Sequence, residues 1–153
     1  MTDPQSNNYK WFVLAILTVV YAFNLIDRQI LVILQEPIKA ELGLSDTQLG
    51  LLTGFSFAVF YVTAGIPIAW LADRSNRRNI VAVSLGIWSV MTALSGMVQN
   101  YTQLLLARLG VGLGEAGGSP PSHSMLSDYF PKEQRGTALS IYTTGIYLGI
   151  FFG

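Results

Sequence analysis

Charge is absent from long stretches of this chain, and that absence limits what it can fold into. Residues 49–72 are 24 consecutive positions without Asp, Glu, Lys, Arg or His. A second such stretch runs from Asn79 to Leu106, and a third from Gly136 to Gly153. Trp11 to Leu34 is interrupted only by Asp27 and Arg28. A bilayer core takes about 20 apolar residues per helix, and a helix satisfies all of its own backbone groups there. The pattern predicts five membrane-spanning helices, at about 11–34, 49–72, 79–98, 102–128 and 136–153, after a polar tail over 1–9. The expected fold class is an all-α membrane protein, a polytopic helical bundle.

Composition agrees. The chain is 51% hydrophobic and 12% charged, against about 25% charged in an ordinary soluble domain. Nine basic and nine acidic residues cancel, which argues against nucleic acid as a partner, since phosphate binding needs excess cations. With no cysteine and one histidine, thiolate and multi-histidine metal sites are excluded, and no metal or cofactor is expected. No nucleophile–base–orienter set appears, so an enzyme is not expected. The first apolar stretch is too long for the core of a cleavable signal and is expected to be retained.

Local signals divide the spans. Pro37 and Gly43 separate the first two, and Ser45-Asp46-Thr47-Gln48 has the form of a capping box. Pro131 is expected in the first turn of span 5. Pro120-Pro121 falls inside span 4 and predicts a kink there, tolerated in a bundle whose neighbours satisfy the freed carbonyls. Lys10, Arg74, Arg77, Arg78, Lys132 and Arg135 fall on one side of this topology, against Lys39 alone on the other. The bias puts the N-terminus in the cytoplasm, with the inner (plasma) membrane as the expected location. Tyr9, Trp11 and Tyr129 suit the aromatic belt at that interface.

Small residues recur along three spans: Gly50, Gly54, Ala58, Gly65 and Ala69; Ala82, Gly86, Ser89, Ala93 and Gly96; and Gly145, Gly149 and Gly153. Such spacing lets membrane helices approach closely. Asp27, Arg28, Arg108 and Glu115 lie within spans, where each charge costs at least about 2.5–3.5 kcal/mol at the bilayer centre. Asp27 falls ~24 Å along span 1 and Arg108 ~9 Å along span 4 from the opposite side, depths that allow contact if the two helices are neighbours. Arg108, Gly112 and Glu115 share a helix face. The four charges sum to zero, so one added proton unbalances them. They are read as candidate substrate and proton-coupling groups, with a purely structural ion-pair network as the alternative. Tyr21, Phe55, Tyr61 and Tyr147 are candidate cavity aromatics, more often packing residues. His123, near the kink, is expected to pack or to hydrogen-bond.

Leu71-Ala72-Asp73-Arg74-Ser75-Asn76-Arg77-Arg78 resembles the 2–3 loop signature of the major facilitator superfamily, roughly G-x-L-A-D-R-x-G-R-R. Ala69 and Asn76 replace its two glycines, and Asn tolerates the left-handed turn. Arg108-x-x-x-Gly112-x-Gly114, Asp128-Tyr129-Phe130-Pro131 and Arg135-Gly136-Thr137-Ala138-Leu139 resemble that superfamily's span 4 and 4–5 connection. Asn24-x-x-Asp27-Arg28 and Gly112-x-Gly114-Glu115-Ala116 resemble the spinster-like group within it. Span 5 departs, since no proline follows Gly145.

The resemblance implies the first five helices of an N-terminal half, with a cavity on helices 1, 2, 4 and 5. It implies a secondary active transporter working by alternating access, with membrane lipids, a small-molecule substrate and a proton as partners. It also implies a conformational gate at Asp73, Arg74, Arg77 and Arg78 that latches onto a C-terminal half. Twelve spans need about 240 residues in helices alone, so the chain is expected to be an N-terminal fragment. Gln48 and Gly50 against Gln134 and Gly136 give a faint trace of the family's internal repeat. Spinster-like members are associated with amphiphiles such as lysolipids, which suit an apolar cavity with a few buried cations. An organic-anion or drug carrier of the same superfamily, and a non-transporting membrane sensor or packing subunit, are the alternatives.

The loop bias sets a direct test of topology. A reporter fused after Ser75 should be cytoplasmic, and one fused at Asn100 external. Both on one side would refute the five-span arrangement.

Overall fold

The computed structural model describes residues 4–153, with side chains except at 4–6 and 55–57. Every regular element among them is helical: α1 Pro4–Ile33, α2 Gln35–Leu42, α3 Asp46–Gly50, a π-helical turn Leu51–Phe55, α4 Ser56–Arg74, α5 Arg77–Ser95, α6 Tyr101–Ala116, α7 Ser119–Tyr129 and α8 Lys132–Phe152. The all-α expectation holds. Residues 4–9, expected as a polar tail, are the first turns of α1.

By length and apolar composition, three helical stretches among the described residues can cross a membrane: Asn7–Ile33, Asp46–Arg74 and Arg77–Ser95. The fourth and fifth expected spans do not meet that measure, for two physical reasons. The fourth is divided into α6 and α7, of 16 and 11 residues. α8 is 21 residues long but opens on Lys132-Glu133-Gln134-Arg135.

The division of the fourth stretch falls at Gly117-Gly118 rather than at the prolines. Gly117 N–H donates to the Gly114 carbonyl at 3.2 Å and Gly118 N–H to that of Glu115 at 3.0 Å, a tight i→i+3 turn. Pro120 and Pro121 then occupy the first turn of α7, where a missing N–H costs no helical bond. The proline pair therefore begins a helix instead of kinking one. Pro131 lies one position before its expected place, as the N-cap of α8.

Caps follow the sequence closely elsewhere. Ser45 Oγ accepts from Gln48 N–H at 3.2 Å, and Gln48 Oε1 accepts from Ser45 N–H at 2.9 Å. Gly43 ends α2 at φ 62°, a left-handed conformation that a Cβ disfavours. Asn76 is not left-handed. It is extended, and its side chain accepts from Arg78 N–H at 3.1 Å, capping α5. An Asn at this loop position thus does the work of an N-cap.

The chain forms two compact units, one of residues up to Gln29 with Ser122–Gly153, the other of Ile30–Pro121. In the first, α8 lies along α1 through its glycine run. A Cβ at Gly145 would stand 2.7 Å from the Thr18 carbonyl oxygen, and one at Gly149 2.5 Å from Leu25 Cβ. A Cβ at Gly153 would stand 3.0 Å from Ile26 Cα. Contacts advance in the same direction on both helices, so α1 and α8 run parallel, as two helices starting on one side of a membrane must. At their beginnings Trp11 meets buried Phe130 edge-on at 5.1 Å, Tyr9 meets Tyr129 at 5.8 Å, and Lys10 Nζ donates to Gln134 Oε1 at 2.8 Å.

In the second unit α5 and α6 are antiparallel, and the glycines lie on α6. Gly110, Gly114 and Gly117 face Met91, Trp88 and Ser84 in turn. The small-residue stripe expected to pack on α5 (Ala82, Gly86, Ser89, Ala93, Gly96) is mainly exposed, and α5 buries Val81, Ser84 and Trp88 instead. α5 comes close to α6 here, and the α6 glycines leave room for it. On the second expected stripe, a Cβ at Gly50, Gly54 or Gly65 would meet nothing within 4 Å among the described residues. At the far end of this unit Leu44, Leu52 and Leu104 form a small core with Ile38 and Leu42 of α2 packed on it. Lys39 bonds Asp46 across the Gly43 turn, and that hydrogen bond and charge raise the Lys39 pKa.

The glycine contacts predict an asymmetric alanine series. Gly114→Ala and Gly149→Ala should each lower stability by about 1–3 kcal/mol, because backbone has to move. Gly86→Ala should leave stability unchanged or raise it, since it fills open space and favours the helix. Thermal unfolding in one detergent checks all three.

Candidate functional site

α6 is fixed at its start by side-chain caps: Asn100 Oδ1 accepts from Gln103 N–H at 3.0 Å, and Gln103 Oε1 accepts from Gln99 N–H at 2.8 Å. From that start, Arg108 and Glu115 fall two turns apart on one face, ~10 Å along the axis. Both are buried, at 9% and 3% exposure. Gly112 and Gly114 between them are buried as well. Glu115 is in the last turn of α6, immediately before the Gly117-Gly118 break, and its carbonyl oxygen accepts from Gly118.

Asp27 is buried at 7% exposure in α1, and Arg28 beside it is half-buried. These two belong to the first compact unit, and Arg108 and Glu115 to the second. Each unit therefore holds one acid and one base of the expected set within its helices. Among the described residues no cluster of three His, Asp or Glu side chains has the makings of a metal site.

The expected gate residues lie where α4 passes into α5. Asp73 and Arg74 end α4, and Arg77 and Arg78 begin α5. Asp73, Arg74 and Arg78 are exposed and Arg77 is half-buried. The Arg74 guanidinium lies 4.0 Å from the centroid of the Trp70 ring.

The aromatic candidates separate. Tyr21 stacks on Tyr142 at 4.7 Å with the rings 5° apart, and the His123 ring meets Tyr142 edge-on at 5.1 Å. Tyr142 is fully buried and joins α1, α7 and α8 within the first unit. Tyr61 is half-buried and Tyr147 is exposed; the Phe55 side chain lies outside the described residues. Tyr142, Trp70, Ser84, Trp88, Gly110 and Gly117 were not singled out by sequence reasoning. Gly110-x-x-x-Gly114-x-x-Gly117 was the available signal for the α5–α6 contact. Nothing in the sequence marked Tyr142 out from the other tyrosines.

Comparison with known proteins gives a consistent answer. A family model described as Major Facilitator Superfamily matches residues 17–153. An MFS-type efflux pump of Mycolicibacterium smegmatis is 40% identical over 146 residues, which cover 95% of this chain and 34% of that protein. A protein of Escherichia coli K12 named "Probable L-galactonate transporter" is 37% identical over 128 residues, covering 83% of this chain and 28% of its own length. The crystal structure of a bacterial homologue of the human lysosomal transporter Spinster, inward-facing and unoccupied, superposes with a TM-score of 0.89 at 44% identity. That match covers 97% of this chain and 30% of the other. The chain spans about a third of the length of the relatives it matches.

The region just after Glu115 allows a sharp test. A Cβ at Gly117 would stand 1.9 Å from Ser84 Oγ. Gly117→Ala should therefore destabilise the α5–α6 pair, and Ser84→Gly should restore part of the loss when combined with it. Additive effects of the two substitutions in thermal unfolding would contradict the contact, since neighbours couple by about 0.5–3 kcal/mol.

Proposed function

Because the chain belongs to the major facilitator superfamily and is an integral, multi-pass membrane protein, we propose that it forms the proton-coupled part of a secondary active transporter. The observation that carries this reading is the burial of Glu115 and Arg108 on one face of α6, with Asp27 buried on α1. Intramembrane ionisable residues are costly and mark substrate and ion pathways. Asp27, Arg28, Arg108 and Glu115 supply both substrate polarity and a proton site. Alternating access follows from rocking one half of such a transporter about a central site, with Asp73, Arg74, Arg77 and Arg78 at the moving cytoplasmic loop. The N-terminus is cytoplasmic and the membrane is the inner (plasma) membrane, on the six-to-one bias of loop cations.

The proposed substrate is a small amphiphile such as a lysolipid. The 44% identity to the bacterial Spinster homologue supports the spinster-like group, and the apolar helices around few charges suit an amphiphile. A second reading, an organic-anion or drug carrier, is supported by the relatives named for efflux and for L-galactonate. Both readings use buried Arg108 and half-buried Arg28 as counter-charge.

Proton coupling requires that protonation favour one access state over another. Uptake of a proton at Glu115 removes the negative charge from the α6 face that also carries Arg108. The charge balance on that face then changes, and the access equilibrium with it.

Residues 1–153 grafted in place of the matching segment of the bacterial Spinster homologue provide the assay. In proteoliposomes under an imposed proton gradient, the graft should accumulate a labelled lysolipid. Glu115→Gln should reduce accumulation to the level without a gradient, while expression and thermal stability stay close to the parent graft. Accumulation of labelled L-galactonate instead of lysolipid would favour the second reading. Loss of stability by about 3–5 kcal/mol in Glu115→Gln would assign the residue to a structural pair. Gradient-driven accumulation at the parent rate in a well-folded variant would remove Glu115 from the mechanism.

A further inference from the structure

α4 carries a face that no part of its own unit covers. Val62, Ile66 and Trp70 recur every fourth residue and are 60%, 71% and 57% exposed. One turn further on is Arg74, whose guanidinium lies over the Trp70 indole at 4.0 Å. Arg78, exposed in the first turn of α5, follows Asn76, which caps that helix. Asp73 is the one acid among residues 71–78, against three arginines.

The strip runs from branched apolar side chains, to a wide amphipathic ring, to a planar cation. A phospholipid has the same order of parts: acyl chain, glycerol ester, phosphate. Tryptophan favours the depth of the headgroups. Arginine matches phosphate oxygens with paired N–H donors that lie in the guanidinium plane, and stacking over an indole holds that plane in place. Each basic residue near an anionic surface contributes about 1 kcal/mol.

We propose that Val62, Ile66, Trp70, Arg74 and Arg78 form a binding surface for one anionic phospholipid. An acyl chain lies along Val62 and Ile66, the ester region rests on Trp70, and the phosphate is held by Arg74 and Arg78. The net excess of two cations in the loop selects an anionic headgroup over a zwitterionic one. This surface rests on the membrane-spanning character of α4; it shares Arg74 and Arg78 with the proposed gate, and its test reads lipid retention, not transport.

Native mass spectrometry of the 153-residue chain in nonionic detergent tests it, with phosphatidylglycerol and phosphatidylcholine of identical acyl chains added in equal amounts. The chain should retain phosphatidylglycerol about tenfold over phosphatidylcholine. Arg74→Gln should bring that ratio to about twofold or less. Trp70→Leu should weaken retention of both lipids, because the stacked guanidinium and the ester platform are lost together. Lys132→Gln, the same charge change on a different helix, should leave the ratio unaltered. If Arg74→Gln is not recovered as a monodisperse helical protein, Arg78→Gln and Trp70→Leu decide the matter. Equal retention of the two lipids by the parent chain would overturn the proposal. So would an equal fall in Lys132→Gln, which would mean diffuse charge attraction. Displacement of phosphatidylglycerol by millimolar inorganic phosphate would identify a site for free anions instead. A dimer that retains no lipid would identify the face as a contact between copies.

Discussion

Helices in a bilayer gain little by hiding apolar side chains from lipid, which is just as apolar. Their association depends on how closely two backbones can approach. In this protein the approach is made at glycines on α8 and α6. Gly145, Gly149 and Gly153 bring α8 against the backbone of α1, and Gly110, Gly114 and Gly117 bring α6 against α5. The first contact is largely backbone against backbone; in the second, Gly110 and Gly117 meet side chains of α5, and Gly114 meets its backbone at Trp88 and Ser84. Both leave little room for adjustment, because neighbouring atoms would stand under 3 Å from an added Cβ.

That rigidity bears on the buried charges. Glu115 is one residue from Gly114, which meets α5 at Trp88 and Ser84, and two from Gly117, which meets the Ser84 side chain. A carboxylate so placed cannot move away from its surroundings by small shifts of the helix. The Gly117-Gly118 turn just beyond it is the nearest point at which the backbone can change direction. Tight packing on one side and a break in the helix on the other frame Glu115 at the α6–α7 junction. A soluble protein can hydrate a titrating group by opening locally; a helix held at glycine contacts in lipid has less freedom to do so.

The all-helical fold was legible because the bilayer makes a strong demand on composition, and residues 49–72 meet it without exception. The capping box at Ser45 and Gln48 was legible for the same kind of reason, since one short local geometry specifies it. The Gly145-x-x-x-Gly149-x-x-x-Gly153 run has the spacing of a packing surface, and its glycines face α1. The stripe on α5 was misread. Small residues mark where a close approach is possible, and which helix supplies the recess depends on the partner's side chains. The Met91 side chain needs space at Gly110 and the α5 backbone comes close at Gly114, so here the glycines that matter lie on α6. The proline pair was misread because a proline within a helix and a proline at its first turn look alike until the preceding glycines are taken into account. The assignment of Asp27 and Arg28 to one compact unit and of Arg108 and Glu115 to the other depends on contacts distant in sequence. Depth along two helices cannot provide that.

Trp70 and Trp88 show how the same residue takes opposite roles in one such architecture. Both sit on apolar helices of the same unit, and both carry one N–H and a large ring. Trp88 is buried, and its Cβ and backbone nitrogen come within 2.7 Å of where a Gly114 Cβ would stand, so the missing Cβ lets this stretch of α5 approach α6. Trp70 has no glycine opposite it and lies one turn before the charged end of α4, so its ring stays exposed and takes up a guanidinium. The difference comes from what stands one turn away and across the interface. A tryptophan near a span's charged end has its polar edge served by the interface, whereas one inside the span is accommodated only where another helix has a recess. Sequence position relative to arginine and to glycine therefore carries more information about a membrane tryptophan than its hydrophobicity does.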